Sequence, residues 1–360
     1  MQLLLAFFFV TFLVSIAGLE WVGLHPVAPW SLVVVLLLTV PFAYGVSVGA
    51  SRLGHSIGSW KYGAPLYSVF VGFGLLWVYQ PETQAFRVVV LLLFSALMAR
   101  LIGGPRNGFA STFLMGLLAL GLCQAAVSYL NYVALVGATN RLHDPVLRAL
   151  DVQMYRAVYG RAVEYTGIFP LVTSGIGFAT FERAYRILFA EMAVVVFALV
   201  DDVDRLRSYL LRMFGCYVSA LGMFVAWPAV GPCLYYPESF RSGYEATTTA
   251  LWMSSSYIEF AAIRDHLQPI TGFGYFVALP SLHTAMALLC QLSLRRSRIL
   301  FWMFFPINAL IIASTVVLGY HYALDVPAGI ALVAIIFVFT GGRLSRRRSV
   351  VPGAEIARVA

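Results

Sequence analysis

Charged side chains are scarce in this chain of 360 residues: they make up 11% of it, whereas soluble globular proteins carry about 25%. Hydrophobic residues make up 61%, so the chain lacks the polar side chains needed to cover a water-facing surface. The long apolar runs also lack the alternation of polar and apolar residues that marks the strands of a membrane barrel. A backbone in lipid must satisfy its own hydrogen bonds, and uninterrupted apolar runs do so as helices. We therefore predict an all-α, polytopic membrane helix bundle.

Paired cysteines and basic patches with interleaved aromatic residues are missing as well. The four cysteines are scattered and form no Cys-x-x-Cys motif, which argues against a disulfide framework or a zinc site. The net charge of +8 is typical of arginine-rich cytoplasmic loops and does not indicate nucleic-acid binding. We expect the membrane and a lipid as partners, no nucleic acid and no cofactor, and the sequence leaves the oligomeric state open.

Ten apolar runs of roughly 17–25 residues are long enough to cross a bilayer. We predict an N-terminal four-helix membrane region over 1–102 and a basic cytoplasmic tail over 343–360. Between them, residues 103–342 would form a core of six spans with outer loops at 139–182 and 231–278. The runs lie near 3–19, 30–50, 63–79, 85–102, 109–138, 184–200, 209–230, 279–294, 299–318 and 325–341.

The placement of arginines predicts the orientation, because cytoplasmic loops are enriched in Lys and Arg. The Arg-Arg-Ser-Arg turn at 295–298 and the basic tail should be cytoplasmic, and both termini then lie inside. His283 and His321 fall at the opposite, outward-facing side, which we expect to be that of a bacterial plasma membrane. The first outer loop would hold an amphipathic surface helix near 143–158 and a partly inserted, ambiguous piece near 166–181. Its own arginines break the charge rule locally.

The segment Pro-Ser-Leu-His at 280–283 lies at the mouth of one apolar run. Pro and Ser are ordinary residues at helix starts, so a purely structural role is one interpretation. A helix start also presents free N–H groups and the positive end of the helix dipole, which suit phosphate oxygens. In that first turn, His283 could donate a proton to a leaving alkoxide.

His321 and Asp325 lie four residues apart at the mouth of another run, so a helix beginning there places them on one face. A carboxylate that binds one imidazole nitrogen leaves the other free to attack a phosphorus atom. An interfacial histidine beside a capping aspartate is the structural alternative. Because the two motifs lie at adjacent ends of consecutive antiparallel helices, their joint occurrence favours catalysis.

On these residues, over about 109–342, the chain resembles the phosphatidic acid phosphatase type 2 superfamily. That family shows Pro-Ser-x-His, then Ser-Arg, five residues, His, three residues and Asp. Here Ser314-Thr315 precedes His321 and Asp325 at those spacings, and only the arginine is replaced. The motifs are similar to the branch that holds inositol-phosphorylceramide synthase, and sphingomyelin synthases carry a similar set of two histidines and one aspartate. Further similarity to bacterial members lies in Leu-His-Asp-Pro at 142–145, Asp151 and Trp-Pro-Ala-Val-Gly-Pro at 227–232.

The resemblance implies a six-helix phosphatase-type core preceded by four extra helices. It also implies that His321 is the nucleophile that forms a phosphohistidine, that Asp325 orients it, and that His283 is the general acid. Ser281 and Ser314 would hold phosphate oxygens.

The family's first motif, a lysine followed seven residues later by Arg-Pro, is missing. The 231–278 loop holds two arginines, Arg241 and Arg264, and we choose Arg264, which precedes Pro-Ser-Leu-His by sixteen residues, as the phosphate clamp. A guanidinium suits this role because it binds phosphate in a bidentate manner. Thr315 replaces a second cation, and phosphodiester or transferase chemistry needs one less charge neutralised than phosphomonoester hydrolysis.

The leading hypothesis is a membrane lipid phosphatase or phosphotransferase that acts on a lipid-linked phosphate ester, with a lean towards transfer of the inositol-phosphorylceramide-synthase kind. A metal site is a second enzyme hypothesis, since His283, His321 and Asp325 form a two-histidine, one-carboxylate set. A transporter or non-catalytic membrane protein is the alternative from another class, although transporters place polar residues near the midplane. The substrate headgroup and the acceptor stay open.

Overall fold

The structure is a computed structural model that describes residues 1–22, 109–159, 176–239, 248–265 and 275–348. Over these residues the chain is helical and contains no strand, which confirms the prediction of an all-α bundle. The runs predicted near 30–50, 63–79 and 85–102, most of the ambiguous run 166–181, and Arg241 lie outside the described residues.

Ten helices are described, and three of them contain segments long and apolar enough to cross a membrane: Met115–Val136, Val203–Ala226 and Arg298–Val317. Three further helices have apolar segments of 10–17 residues: Leu3–Leu19, Leu282–Ser293 and Asp325–Thr340. This pattern agrees with a membrane protein. In chain order the helices are α1 (Gln2–Trp21), α2 (Phe109–Val136), α3 (Asp144–Tyr159), α4 (Ile176–Leu199), α5 (Val203–Ala226), α6 (Pro232–Tyr235), α7 (Thr248–Arg264), α8 (Leu282–Ser293), α9 (Arg298–Val317) and α10 (Asp325–Arg348).

Helix α8 lies at the centre of the bundle and contacts α4, α5, α9 and α10. Eight of its twelve residues are buried, so both faces of the helix pack against protein. At the N-terminus of α8, helix α10 approaches so closely that a β-carbon on Gly329 would come within 2.5 Å of the Ser281 carbonyl oxygen. The absence of a side chain at Gly329 thus brings the starts of α8 and α10 together.

Short caps set where the helices begin. Ser281 caps α8 by accepting a hydrogen bond from the Thr284 N–H at 3.3 Å, and Ser297 caps α9 in the same way through Leu300. The three residues from Leu279 to the cap are not helical, so α8 is shorter than the run predicted at 279–294. Because α8 and α9 are joined by a tight turn and pack together, the end of α9 returns to the start of α8.

A buried polar network crosses the bundle below the site. The Asn308 amide nitrogen donates to Glu191 Oε1 and to Gln291 Oε1, both at 2.8 Å, and Gln291 donates in turn to the Phe301 carbonyl at 2.8 Å. These hydrogen bonds link α4, α8 and α9. They fix the positions of the three helices relative to one another more specifically than apolar packing does.

Candidate active site

A small cavity of about 50 Å³ lies where α8 begins and α9 ends. Its volume is several times what one buried water requires, so it can admit a group of a few heavy atoms. Both predicted histidines line it, together with a set of aromatic and small side chains from four other segments. The lining residues are Tyr185, Val230, Cys233, Leu234, Ser256, Tyr275, Val277, Leu282, His283, Tyr320 and His321.

His321 is held by its Nδ1 atom, which lies 2.8 Å from the Ala278 carbonyl oxygen and 3.4 Å from Asp325 Oδ2. Two acceptors at one ring nitrogen select the tautomer that carries its proton on Nδ1. The ring is 4% exposed, so these contacts also fix its orientation. The lone pair of Nε2 is then available to the cavity that the ring lines.

Asp325 is fully buried at the first position of α10. Its Oδ2 accepts a hydrogen bond from the Tyr322 N–H at 2.8 Å, and the same oxygen faces His321. Its backbone carbonyl accepts from the Ser281 N–H at 3.0 Å. One residue therefore connects the His-Tyr-x-x-Asp motif to the Pro-Ser-Leu-His motif, although about forty residues separate them.

His283 lies in the first turn of α8, within an aromatic stack. Its ring stacks on Tyr185 of α4 at a centroid distance of 3.9 Å, and the other neighbour of Tyr185 in the stack is Tyr320 at 4.6 Å. The Nε2 atom of His283 is buried and has no hydrogen-bond partner within the part of the chain that the structure describes. The imidazole is thus fixed by stacking, while its polar atom is left for a ligand.

The centroids of the His283 and His321 rings are 6.2 Å apart. An attacking atom approaches to about 3–3.5 Å, and a proton donor works at about 2.6–3.2 Å. Since both rings also line the same cavity, a group of a few heavy atoms placed there can contact both imidazoles.

The short helix α3 holds the loops around this cavity through two buried carboxylates. Asp144 accepts hydrogen bonds from the Gly231 N–H at 2.8 Å, the Val230 N–H at 3.1 Å and the Tyr322 hydroxyl at 2.9 Å. Burial raises the pKa of Asp144, and these three donors act in the opposite direction. The helix predicted near 143–158 is present, and its carboxylates face the protein interior.

Asp151 lies two turns further along α3 and binds the loop that carries His321. It accepts from the Ala323 N–H at 2.7 Å and from the Leu324 N–H at 3.2 Å. Gly231, with a φ of 95°, packs against the same loop, and a β-carbon there would overlap the Tyr320 carbonyl oxygen. The loop that carries His321 therefore contacts Asp151 on one side and Gly231 on the other.

The structure brings four of the six predicted site residues together: His283, His321, Asp325 and the cap Ser281. The Ser314 hydroxyl instead donates to the Ile311 carbonyl at 2.6 Å within α9 and does not line the cavity. Arg264 lies at the exposed end of α7, paired with Asp265 at 2.9 Å. Their phosphate-binding roles stay predictions.

Sequence patterns did not single out the tyrosines of the cavity. Tyr185, Tyr275 and Tyr320 lie near the ends of apolar runs, where tyrosine is common at the membrane interface. The packing of α4 against α8 and α9 brings Tyr185 onto the His283 ring, and Tyr320 stacks on the Tyr185 ring. Arg186, next to Tyr185, is a further cation of interest because it interacts electrostatically with Tyr320.

Residues 179–339 match the family model of the PAP2 superfamily. The matched region includes every residue that lines the cavity, and it supports a phosphatase or phosphotransferase. Asp144 and Asp151 lie before it. No curated protein and no solved structure matches the chain significantly. Within the described ranges, no group of three or more His, Cys, Asp or Glu side chains is arranged to hold a metal ion.

Proposed function

We propose that the protein cleaves a lipid-linked phosphate ester at the outward face of the membrane, through a phosphohistidine formed on His321. This proposal rests on the way the two imidazoles are held. Hydrogen bonds at Nδ1 fix His321, stacking on Tyr185 fixes His283, and the centroids of the two rings are 6.2 Å apart. The family match over 179–339 supports the phosphatase or phosphotransferase class.

In the first half-reaction, Nε2 of His321 attacks the phosphorus atom and the bond to the leaving alkoxide breaks. The Nδ1 proton stays on the ring, where the Ala278 carbonyl and the Asp325 carboxylate stabilise the positive charge that the imidazole gains. Protonated His283 gives its proton to the departing oxygen, which leaves as an alcohol. His283 ends the step neutral.

The phosphate oxygens need positive partners, and α8 offers its N-terminus to them. Ser281 and Ser314 remain proposed as phosphate-binding residues, and Arg264 would have to leave Asp265 to take part. Arg186 is a second candidate clamp, since its guanidinium interacts with the cavity-lining Tyr320.

The acceptor in the second half-reaction decides between the two activities. Water makes the protein a phosphatase, and a lipid or glycan hydroxyl makes it a phosphotransferase. Thr315 in place of the family's arginine removes one cation, which favours a phosphodiester with its single charge and hence transfer of the inositol-phosphorylceramide-synthase kind.

The catalytic core is proposed to span 103–342, with 1–102 as an additional membrane region and 343–360 as a cytoplasmic tail. The bonds from α3 to the loops at 230–231 and 322–324 support a core that begins well before the matched region. The packing of α2 against α5 supports the same boundary.

The test is turnover by the purified protein of a panel of phospholipids and lipid phosphates, with and without alcohol acceptors. We expect His321→Ala to lower turnover by at least about a thousandfold, because the covalent route is lost. Gln153→Ala, at an exposed position on α3, is the matched control and should retain activity. Equal turnover by His321→Ala and the control would refute the proposal. A headgroup-exchange product without free phosphate would identify a transferase.

A further inference from the structure

Two residues that line the cavity each carry a buried polar atom with no hydrogen-bond partner among the described residues: the Tyr275 hydroxyl and Nε2 of His283. Leaving such an atom unsatisfied destabilises the folded protein, and native proteins rarely do so without a reason. Because both side chains line one small cavity, a bound group that satisfies both atoms would recover this cost.

Tyr275 is held in place by the segment that follows it. The Phe276 N–H donates to Asn131 Oδ1 at 3.2 Å, and the Ala278 N–H donates to the Ala229 carbonyl at 2.9 Å. The Tyr185 phenol interacts electrostatically with Tyr275, and the Tyr185 ring stacks on His283. The Tyr275 hydroxyl therefore lies on a fixed backbone, beside the aromatic stack that carries the general acid.

We propose that Tyr275 and His283 together bind the attacking hydroxyl, of an alcohol or of water, in the second half-reaction. This inference rests on the proposed function. The acceptor oxygen takes a hydrogen bond from the Tyr275 phenol, and its own O–H points at Nε2 of His283, which is neutral after the first step. His283 takes the proton, the acceptor oxygen forms the new P–O bond, and the P–N bond to His321 breaks with its electron pair returning to Nε2.

The chemistry of the two orphaned atoms selects a hydroxyl. A phenol donates, and Nε2 of His283 accepts once it has given its proton to the leaving group, so a ligand common to both at that stage is both acceptor and donor. A phosphoryl oxygen could satisfy Tyr275 but has no proton for His283. Burial raises the pKa of the Tyr275 phenol, so it stays a donor at neutral pH.

The test is Tyr275→Phe, with Tyr235→Phe as control because Tyr235 lies close in the chain to cavity residues yet does not line the cavity. With bis(p-nitrophenyl) phosphate and glycerol as probes, we expect the initial burst of nitrophenol to change less than about threefold in Tyr275→Phe. Steady-state turnover should fall about tenfold, as for one lost hydrogen bond in the transition state. Covalent phosphoenzyme should accumulate above the wild-type level.

Each other outcome overturns the inference. Unchanged steady-state turnover would show that the phenol does not bind the acceptor, and an equal fall of burst and steady state would assign it to the first step. A lowered melting temperature would show that the hydroxyl has a structural partner, since removing an orphaned group should leave stability unchanged or raise it. If wild-type protein forms no phosphoenzyme and His321→Ala turns over normally, the proposed function itself fails, independently of Tyr275.

Discussion

Asp325 acts on His321 through a single oxygen, which also accepts from the Tyr322 N–H. In Asp325→Asn, either an amide nitrogen would oppose two donors or the amide oxygen would bind them without a charge. In both cases the imidazole of His321 is oriented less firmly, and its positively charged form loses a stabilising negative charge. We expect kcat to fall about a hundredfold, with a smaller change in KM. Stopped-flow or steady-state assays with the best lipid substrate measure it.

The matched control is Asp202→Asn. Asp202 caps α5 at the other end of the bundle, next to Arg296, and asparagine caps helices as well as aspartate does. It should keep wild-type kcat. Equal losses in both variants would mean that the effect comes from folding and not from the orientation of His321.

Two features require a glycine at position 231: the backbone conformation and the close approach of a neighbouring carbonyl group. Its φ of 95° suits glycine, and an added β-carbon would overlap the Tyr320 carbonyl oxygen in the loop before His321. We expect Gly231→Ala to destabilise the protein by at least about 2 kcal/mol and to displace that loop. Gly222→Ala in α5 is the control, because a β-carbon there meets nothing within 4 Å. A melting temperature in detergent equal to that of the control would contradict this assignment.

At the scale of elements, α3 binds two loops, one at 230–231 and one at 322–324. Asp144 and Asp151 are seven residues apart and therefore share one face of the helix. Asp144 binds the loop after α5 and the Tyr322 hydroxyl, and Asp151 binds the backbone just before Asp325. The loop that carries His321 is thus held by a helix that lies before the region matched by the family model.

Asp151→Ala would leave the N–H groups of Ala323 and Leu324 without their carboxylate. Each lost partner costs about 1–3 kcal/mol, and a misplaced His321 lowers the rate further. We expect a lower melting temperature and a kcat reduced at least about tenfold. Asp151→Asn, which keeps one acceptor, should recover part of the activity. If Asp151→Ala melts lower but turns over at the wild-type rate, α3 supports stability alone.

The sequence predicted the existence of α3, α8, α9 and α10, because their apolar or amphipathic periodicity is strong. It did not predict that α4 begins at Ile176, since the charged residues Glu182 and Arg183 resemble a membrane boundary at 184. Glu182 is instead buried and accepts from the Thr249 N–H at 2.6 Å. Such long-range partners leave no trace in local spacing, and the same holds for the tyrosines around His283.

At the scale of the whole molecule, the cavity and the basic turn that follows α8 lie at opposite ends of this helix. The cavity lies at the start of α8, and the exposed residues Arg295 and Arg296 lie in the turn at its other end. Because helices rise about 1.5 Å per residue, the twelve residues of α8 keep these regions well apart. The positive-inside rule then predicts that the cavity faces away from the cytoplasm.

Labelling of single cysteines with a membrane-impermeant maleimide tests this orientation in whole cells. All four native cysteines are buried, so the background should be low. We expect Gln153→Cys, on the exposed side of α3 and close to the site, to react in intact cells. Arg295→Cys should react only after the membrane is permeabilised. The reverse pattern would place the active site on the cytoplasmic side, and reaction of both in intact cells would mean that the helices between them do not cross the bilayer.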